Sequence, residues 1–494
     1  MKNYLLIVIL AFYSTLILAQ KRDAVWVTGY NCCNPDPNNT YAQGLIFDFS
    51  SGSFQFDTVT RKMNFGTMNA SICDTTGILL FYTNGIFIAD RTNDTMMNGS
   101  GINPSFYTSM QTPYGLNGPQ SDIIIPKPDD PNQYYLFHKT ADTVSTPFSN
   151  VSLKLYFSII DMSGNNGYGA VISKNNILLT ETYFGINMTA VRHGNGRDWW
   201  IIQTKANSNK YFIFLLTNTG VSLHQTQIIG SGYDIFCHCN FIFSKDGSKF
   251  INGATDFDRI EVMDFDRCTG LFSNPISIPV NYYGQHYVSL SASDRYLYYN
   301  VSDTIFQYDM AASNIAATKT VVAVYDGFES QPGVPTFFGY PILAADNKIY
   351  FTCNLEYLHV INYPDSTGIA CNVVQHAIQL PYNTSGFPNF PNYELGRISG
   401  SACDTVYSSI SELEKEKEVS VFPNPSSTGI FNFQFDDKSE QIKSLEVTDI
   451  TGRIINSLLN NSNQLNLSSA ADGIYFYRVK TNKGKMHKGK ITIQ

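Results

Sequence analysis

The sequence predicts an all-β protein, with a seven-bladed β-propeller followed by a small Ig-like β-sandwich. Three observations carry this prediction. A strand–turn–strand unit recurs roughly every 50 residues through the middle of the chain, which is the spacing of propeller blades. A different and shorter strand pattern begins after a charged stretch near residue 418. The composition, with 14% aromatic and only 15% charged residues, favours short strands and turns over helices.

Residues 1–19 have the layout of a signal peptide. Lys2 supplies an early positive charge, an apolar run extends from Tyr4 to Leu18, and the small residue Ala19 follows. Because such a run is shorter than the roughly 20 residues that span a bilayer, we expect cleavage and export, with an uncleaved anchor as the alternative. The sequence has no other apolar run long enough to cross a membrane, so we expect no transmembrane segment after cleavage.

The predicted propeller, residues 20–404, contains six visible copies of the repeated unit. Each copy has an alternating apolar strand, a tight turn with Asp, Asn or Gly, a second apolar strand, a variable loop and a third strand. The turns lie at Gly77, Asn132, Gly196, Gly247, Asp294 and Asn347. One unit cannot bury its apolar face alone, whereas a closed ring of stacked units buries all such faces.

A seventh blade is expected from the two ends of this region. Residues 24–30 and 44–56 supply strands at the start, and residues 393–403 supply the missing strand, so that one blade joins both ends of the ring. Seven blades then average about 55 residues each, which is a usual blade length. A ring of six or eight blades and a flat β-sandwich array are the alternatives.

Several stretches of residues 24–405 resemble a family of secreted propellers found in bacteria that use the type IX secretion system. The stretches that carry the resemblance follow in the order ICDTTGILLFYTNG, MNGSGINP, IIIPKPDDPNQYYLF, LTETYFGINMTAVRHGNGRDWWII, FSKDGSKF and FPNFPNYELG. The family is similar in pattern to quinoprotein-like and YVTN-type propellers. The resemblance implies a bacterial cell-envelope context, and it implies no reaction.

A separate domain is predicted at residues 419–494, after a polar linker at 405–418 that ends in alternating charges. Several short alternating strands punctuated by Gly, Asn or Asp suggest a small antiparallel sandwich of about 76 residues. Pro423 and Pro425 suit an edge strand, and Gly473 permits a turn that other side chains resist.

This domain resembles the type A C-terminal sorting domain of the type IX secretion system, through the elements VFPNP, DITGR, ADGIYFYRV and KGKITIQ. The resemblance implies export by the type IX outer-membrane machinery, by way of the periplasm, to a secreted or cell-surface location. It implies a sorting signal that contains Phe422, Pro423, Asn424, Pro425, Gly452, Arg453, Gly473, Tyr475, Lys488 and Lys490. An ordinary Ig-like accessory module is the alternative.

All nine cysteines lie in the predicted propeller, and export makes disulfides feasible. An odd count leaves at least one thiol without a partner inside the chain. The candidate pairs are Cys353 with Cys371 and Cys239 with Cys268, although spacing alone does not fix connectivity.

Motifs that indicate an enzyme or a tightly held metal do not occur in the sequence. HExxH, GxSxG and P-loop spacings do not appear, and we expect no cofactor. The stretch CHC at 237–239 is a weak metal candidate, because neighbouring strand residues point to opposite faces. Calcium is the alternative, at Asp256, Asp258, Asp264 and Asp266, but the spacing is not that of an EF-hand loop. A formal net charge of −8 argues against a nucleic-acid partner.

The central channel of the propeller is the predicted binding site. Residues at or just before the inner strands are polar or aromatic, and we expect them to converge on one rim of the channel. The candidate residues are Asn69, Gln120, Thr189, Arg192, His193, Asn240, His286, Tyr287 and Tyr340. A water-filled channel lined by satisfied polar groups is the alternative.

Three functions fit these observations. The first is a secreted or surface-displayed binding propeller without catalytic chemistry, which engages an extracellular glycan, peptide or protein at one rim. The second is an exported hydrolase or lyase with its active site in the channel, and the third is a structural component of a surface assembly. A carboxylate pair, or a His with a carboxylate, that faces one pocket would favour the enzyme. A wide exposed aromatic patch would favour adhesion.

Overall fold

The computed structural model divides into two compact units, Met1–Thr405 and Val406–Gln494, and each is described by itself. The residues whose structure is described are 21–29, 42–112, 114–142, 152–233, 240–253, 259–280, 286–404, 419–435, 437–458 and 463–494. The predicted signal peptide, the predicted linker, the CHC stretch, Asp256 and Asp258 lie outside the described residues.

The strands of the first unit form successive antiparallel sets along the chain. The first two sets are β1 (Val25–Thr28), β2 (Ala42–Asp48) and β3 (Gln55–Arg61), then β4 (Ala70–Cys73), β5 (Leu79–Thr83), β6 (Phe87–Asp90) and β7 (Thr95–Ser100). After helix α1 (Phe106–Gln111) come β8 (Asp122–Pro126), β9 (Gln133–His138), β10 (Ser152–Asp161), β11 (Ala170–Arg192), β12 (Trp199–Lys205), β13 (Ser208–Thr217) and β14 (Gly220–Tyr233). Most strands have three or more consecutive buried residues, because both faces of a set are covered by neighbouring sets.

The next sets are four-stranded. They consist of β15 (Phe241–Phe243), β16 (Lys249–Asn252), β17 (Arg259–Asp266) and β18 (Leu271–Pro279), then β19 (His286–Leu290), β20 (Tyr296–Val301), β21 (Thr304–Asp309) and β22 (Thr320–Val324). A short hairpin, β23 (Glu329–Gln331) and β24 (Val334–Pro335), precedes the last set, β25 (Pro341–Leu343), β26 (Ile349–Thr352), β27 (Tyr357–Ile361) and β28 (Val373–Gln379). Short 3-10 turns lie at Asn165–Gly167, Ile315–Thr318 and Gly368–Cys371.

Tight turns between the first and second strand of a set contain the turn residues named from the sequence. Gly77, Gly196, Gly247, Asp294 and Asn347 all have positive φ angles, from 60° at Asp294 to 98° at Gly77. This left-handed conformation is open to Gly and tolerated by Asn and Asp. In the β8–β9 turn the residue in this conformation is Asp129, with φ 60°, rather than Asn132.

The sets pack side by side into a ring, which is the arrangement of a β-propeller. The first strands contact one another in succession from β1 through β4, β8, β11, β15 and β19 to β25. An apolar cluster closes the ring by joining the first and last sets. There the Trp26 ring lies 6.4 Å from the Tyr350 ring, and Phe54 stacks on Tyr350 at 5.2 Å between centroids. Closure of the ring therefore buries the apolar faces that a single set would leave exposed.

Apart from the β23–β24 hairpin, the described strands of the first unit fall into seven sets when β11 is counted twice. The earlier part of this 23-residue strand pairs with β10 and its later part pairs with β12, so it runs on from one set into the next. The number of blades stays a prediction. The predicted splice of the two ends is wrong, because residues 393–403, all of them described, contain no strand. The described residues of the first set form three strands.

The second unit is a sandwich of two antiparallel sheets. One contains β29 (Val419–Phe422), β30 (Ile430–Phe435) and β33 (Gln464–Asn466), and the other has the order β32 (Ile454–Leu458), β31 (Ile442–Thr448), β34 (Gly473–Thr481) and β35 (Met486–Ile493). The rings of Phe433 and Tyr477 meet edge to face across the sandwich, 5.0 Å apart. The predicted fold class, a propeller followed in the chain by an Ig-like sandwich, is confirmed.

The cysteines pair differently from both candidate pairs. Cys268 forms a disulfide with Cys403, so the pairing of Cys268 with Cys239 is wrong. Cys353 and Cys371 are free and buried, so the second pairing is also wrong. The Cys353 thiol instead donates to the carbonyl of Tyr357 at 3.0 Å. Sequence spacing did not show that Cys268 and Cys403 are neighbours, because ring closure brings distant segments together.

Candidate functional site

Seven of the predicted channel residues lie at or near the starts of inner strands and are buried. These residues, none more than 9% exposed, are Asn69, Gln120, Thr189, Asn240, His286, Tyr287 and Tyr340. Buried polar atoms need hydrogen-bond partners, and their partners define what these side chains do.

Side-chain amides at the strand starts join neighbouring parts of the ring. Asn240 donates through Nδ2 to the carbonyl of Val288 and accepts the Val288 N–H at Oδ1, both at 2.8 Å. Gln120 makes the same two-way pair with Phe241, at 2.8 and 2.7 Å. Asn69 donates to a β1 carbonyl at 2.8 Å. These amides act as backbone extensions that hold one strand to another.

The aromatic members of the predicted set are also engaged within the ring. His286 Nε2 lies 2.7 Å from the carbonyl oxygen of Gly253. The rings of Tyr287 and Tyr340 meet edge to face at 5.2 Å. Burial raises the pKa of both tyrosines, so their hydroxyls stay neutral at physiological pH.

Residues 384–404, which follow the last propeller strand, cross the channel, and we call them the channel segment. Asn389 donates through Nδ2 to the carbonyls of Asp122 and Met188 at 2.8 and 3.1 Å, and its N–H donates to the carbonyl of Asn69 at 2.9 Å. Tyr393 donates its hydroxyl proton to a β8 carbonyl at 2.7 Å. The channel segment therefore bonds to several inner strands and fills part of the channel with protein.

Arg192 and His193 lie at the turn end of β11, away from the strand starts. The Arg192 guanidinium lies 4.4 Å from the Trp199 ring centroid and donates to the Tyr393 carbonyl at 3.2 Å. Burial lowers the pKa of Arg192 to about 10 and lowers that of His193. The structure thus does not bring all the predicted residues to one rim, and Arg192 holds the channel segment.

A cavity of about 290 Å³ remains beside the channel segment, and we call it the channel cavity. Its walls come from β15, β19, β25, the channel segment and Trp26. The predicted residues that line it are Gln120, Thr189, Asn240 and Tyr340. Tyr287 and Tyr340 line a second cavity of about 90 Å³. The predicted residues that line neither are Asn69, Arg192, His193 and His286.

Charged side chains gather at the turn end of the channel cavity, where Asp23, Lys245, Asp294 and Glu394 line it. Burial raises the pKa of Asp23 to about 6, and the negative charge of Glu394 adds to this effect. The Asp294 carboxylate accepts the Lys245 N–H at 2.8 and 2.9 Å, and burial raises its pKa as well. A carboxyl that titrates near neutral pH inside a cavity is characteristic of functional sites.

The sequence did not identify Asp23, Lys245, Asn389 or Glu394 as site residues. The available signal was the stretch FPNFPNYELG, in which prolines interrupt a strand pattern and polar residues stand between them. Such a stretch cannot form a central strand, and its asparagines and tyrosine are donors suited to free carbonyls. Asp23 and Lys245 carry no comparable signal, because acidic and basic residues near turns are common.

The described members of the calcium candidate have partners in the protein. The Asp264 carboxylate accepts hydrogen bonds from Lys249 and from Asn274. Asp266 accepts the Cys268 N–H at 2.8 Å and so closes the turn after β17. Among the residues with described structure, no group of three His, Cys, Asp or Glu side chains is placed to hold a metal.

Some of the predicted sorting residues have clear structural roles in the second unit. Asn424 donates through Nδ2 to the Lys490 carbonyl and accepts the Thr492 N–H, both at 2.9 Å. Tyr475 is only 7% exposed, and its hydroxyl donates to the Ala471 carbonyl at 2.7 Å. These contacts hold the sandwich together.

Other predicted sorting residues lie on the surface or in turns. The exposed members are Phe422, Pro423, Asn424, Pro425, Gly452, Arg453, Lys488 and Lys490. Gly452, with φ 84°, lies in the β31–β32 turn, and Gly473 begins β34. Pro423 and Pro425 follow β29 directly. The structure therefore separates a surface subset of the predicted signal from a subset that supports the fold.

Several solved structures are similar to this chain at low sequence identity. A Lactobacillus plantarum protein is 11% identical with a TM-score of 0.42, and the match covers 74% of this chain and 98% of that one. The Pseudomonas aeruginosa periplasmic gluconolactonase PpgL is 12% identical with a TM-score of 0.39, covering 74% and 98%. PorZ of Porphyromonas gingivalis, a surface component of the type IX secretion system, is 13% identical with a TM-score of 0.32, covering 92% and 56%. The search of curated proteins found no match.

Residues 420–494 match the family model of the secretion system C-terminal sorting domain, and this confirms the resemblance seen in the sequence. Within the described residues, none of the helices has the length and apolar character needed to cross a membrane. The second unit is therefore a secretion system C-terminal sorting domain, which indicates export by the type IX secretion machinery to the cell surface or the extracellular space.

Proposed function

We propose that the exported propeller binds a small polar ligand in the channel cavity, without catalysing a reaction on it. The ligand is an end group of an extracellular glycan or a side chain of an extracellular peptide or protein. The observation that carries the proposal is the channel cavity itself, where charged and amide side chains at the turn end meet an apolar wall.

We expect the ligand to bind at the turn end of the channel cavity. At the other end, where the inner strands start, the polar side chains already hold the ring together. Gln120 and Asn240 each make a two-way pair with another strand, and a ligand that displaced those bonds would separate the strands. Lys245, Asn347 and Glu394 line the turn end and are exposed. These three side chains can exchange hydrogen bonds with water for hydrogen bonds with a ligand.

The walls and size of the channel cavity limit what fits. The rings of Trp26 and Phe390, 6.3 Å apart, form the aromatic part of an apolar wall. Ile242 and Pro341 complete this wall. Aromatic walls suit the apolar faces of sugars and of aliphatic side chains. A volume of about 290 Å³ is close to the lower limit of ligand pockets, roughly 300 Å³, so we expect one sugar unit or one side chain to enter.

The test measures binding of the purified full chain to a panel of extracellular polysaccharides and short peptides by titration calorimetry. Lys245→Ala and Asn347→Ala should each weaken the binding found in the panel by about tenfold, which is the usual effect of losing one good polar contact. Lys319→Ala is the matched control, since Lys319 is exposed and does not line the channel cavity. Equal affinity in the turn-end variants and the control would contradict the proposal.

One observation favours a second function, an exported hydrolase. Asp23 and Glu394 face the same cavity, and Asp23 titrates near neutral pH, as a general acid must. Glu394 would then activate water for attack on a glycosidic bond. In a turnover screen on the same polysaccharides, Asp23→Asn and Glu394→Gln should lower the rate by about 100-fold or more, with binding retained. Binding by the wild type without turnover would exclude this function.

A further inference from the structure

The outer side of the four-stranded sheet in the sorting domain exposes large apolar side chains. Along β34 the residues alternate, so that Tyr475, Tyr477 and Val479 are buried, whereas Ile474 and Phe476 are 42% and 48% exposed. In a strand, alternate residues belong to opposite faces of the sheet. Ile474 and Phe476 therefore lie on the face that points away from the sandwich core.

The strand register places Phe476 in a row that crosses the sheet. Phe476 is opposite Thr448 on one side and Lys490 on the other, and Thr448 is opposite Ile454. Ile454 is 57% exposed. Residues directly opposite on one face lie close enough for their side chains to touch, so the row crosses all four strands of the sheet.

Basic side chains border this row. Lys490 ends it, and the neighbouring row holds Glu446, Arg478 and Lys488, in which Arg478 lies 4.0 Å from the Glu446 carboxylate. Lys480 belongs to the next row. Four basic groups against one acidic group give this side of the sheet a net positive charge. We call the side that carries Ile454, Ile474, Phe476, Arg478, Lys480, Lys488 and Lys490 the outer face.

Folding alone does not explain the apolar side chains of the outer face. The core of the sandwich is formed on the other side of the same strands, where Phe431, Phe433 and Phe435 pack against Tyr477. An exposed apolar row bordered by charge marks an interaction surface. Because this domain matches a family of sorting domains, its expected partner is the export machinery.

We propose that the outer face is the surface by which the type IX export machinery recognises this sorting domain. The partner is a protein surface with an apolar centre that receives Phe476 and Ile454, bordered by acidic side chains that face Lys488 and Lys490. Buried aromatic anchors supply most of the affinity at such interfaces, and bordering charges steer the encounter. The export machinery then contacts Lys488 and Lys490 directly, whereas Tyr475 supports the fold.

The experiment follows export of the full chain in a bacterium that carries the type IX system, by immunoblot of cell-free and cell-surface fractions. Phe476→Ser, Ile454→Ser and the pair Lys488→Glu with Lys490→Glu should each lower the exported fraction by about tenfold or more, as truncation of a central anchor does. Ile369→Ser, at a propeller position that is 83% exposed, is the matched apolar control. Lys438→Glu, exposed in the sorting domain before β31, is the matched charge control.

Thermal unfolding of the purified variants separates recognition from folding, and the outer-face variants should unfold at the wild-type temperature. A further variant, Tyr475→Phe, removes a buried hydroxyl and should be exported normally. Unchanged export of the outer-face variants, or an equal loss in both controls, overturns the proposal. So does normal export combined with loss of binding to vesicles that contain lipopolysaccharide, since the face would then meet lipid. Ligand binding in the channel cavity is measured separately and does not depend on this outcome.

Discussion

The interior of the propeller and the outer face of the sorting domain use their residues in opposite ways. Inside the propeller, polar side chains such as Gln120 and Asn240 are buried and connect strands. On the outer face, apolar side chains such as Ile454 and Phe476 remain exposed. The chemical type of a side chain alone therefore does not show whether it binds a partner. A residue is available to a partner when its own fold does not already use its side chain.

Buried charged side chains in the propeller also show that chemical type alone does not identify a binding residue. Asp122 and Lys139 are fully buried near the start of β8 and the end of β9. Burial raises the pKa of Asp122 and lowers that of Lys139, while each charge partly offsets the effect on the other. The sandwich also buries a charged residue, Glu440, which is 3% exposed and accepts a hydrogen bond from the Thr481 hydroxyl at 2.9 Å. Burial of a charged side chain that does not line the channel cavity is therefore a poor indicator of a ligand site.

The largest effect is expected where the ring closes. Trp26 is 2% exposed and contacts Phe49 at 4.6 Å and Phe387 at 5.2 Å. Trp26→Ala should lower the free energy of unfolding by about 3–5 kcal/mol, the usual result of removing a buried aromatic ring. Denaturant unfolding followed by circular dichroism measures this, with Phe56→Ala, at a position 39% exposed, as the control. A loss no larger than that of the control would mean that the ring does not close through Trp26.

The disulfide should have the next largest effect, because it ties the channel segment to the ring. Cys268 and Cys403 are separated by 135 residues, and cross-links over long loops typically contribute about 2–4 kcal/mol. Cys403→Ser should lower the denaturant midpoint and make the channel segment accessible to protease in the folded protein. Cys353→Ser, which changes a free buried thiol, is the control. Protection of the channel segment in the variant would show that its hydrogen bonds alone hold it.

The periodic parts of the fold were predictable from the sequence, and the connections between distant parts were not. Strand alternation and turn residues such as Gly247 and Asp294 act locally, so the chain shows them directly. The sorting motifs are also contiguous stretches. The partners of the channel segment and the pair Cys268–Cys403 depend on which strands become neighbours after closure, and the sequence contains no local sign of those neighbours.

The candidate site was only partly predictable for a related reason. Gln120 and Asn240 line the channel cavity, and the sequence placed them next to inner strands; their role as binding residues stays a prediction. The hydrogen bonds by which they join strands were not predicted, because the sequence does not show whether an amide side chain bonds to a ligand or to a backbone group. Asp23 and Glu394 were missed because residues 371 positions apart in the sequence face one cavity only through the path of the channel segment.

A smaller effect, which depends on pH, is expected from Asp23. Its pKa is about 6 in the folded protein and 3.8 in the unfolded reference, so folding favours the protonated form. Its contribution is fully present below about pH 4 and is lost as the pH rises through 6. Asp23→Asn should therefore be more stable than the wild type at pH 7, by about 1 kcal/mol after allowance for partial exposure, and should lose this advantage at pH 4.

Thermal unfolding at both pH values measures the difference, and Glu394→Gln sharpens it. Removing the negative charge of Glu394 should lower the pKa of Asp23 toward its ordinary value, so this variant should show part of the same gain at pH 7. If Asp23→Asn has the same stability relative to the wild type at both pH values, the carboxyl is not held in the channel cavity as described.

The smallest effect on stability is expected on the outer face, and two consecutive residues of β34 provide the comparison. Phe476 is 48% exposed, so Phe476→Ser should change the free energy of unfolding by only about 0.5 kcal/mol. Tyr477 is 7% exposed and its ring packs on Phe433, so Tyr477→Ala should cost about 3 kcal/mol or more. Hydrogen exchange of β34 in the full chain reports both values. Equal losses would place Phe476 in the core and remove the reason to assign it a partner, whereas the expected contrast leaves its exposed ring without a role in folding.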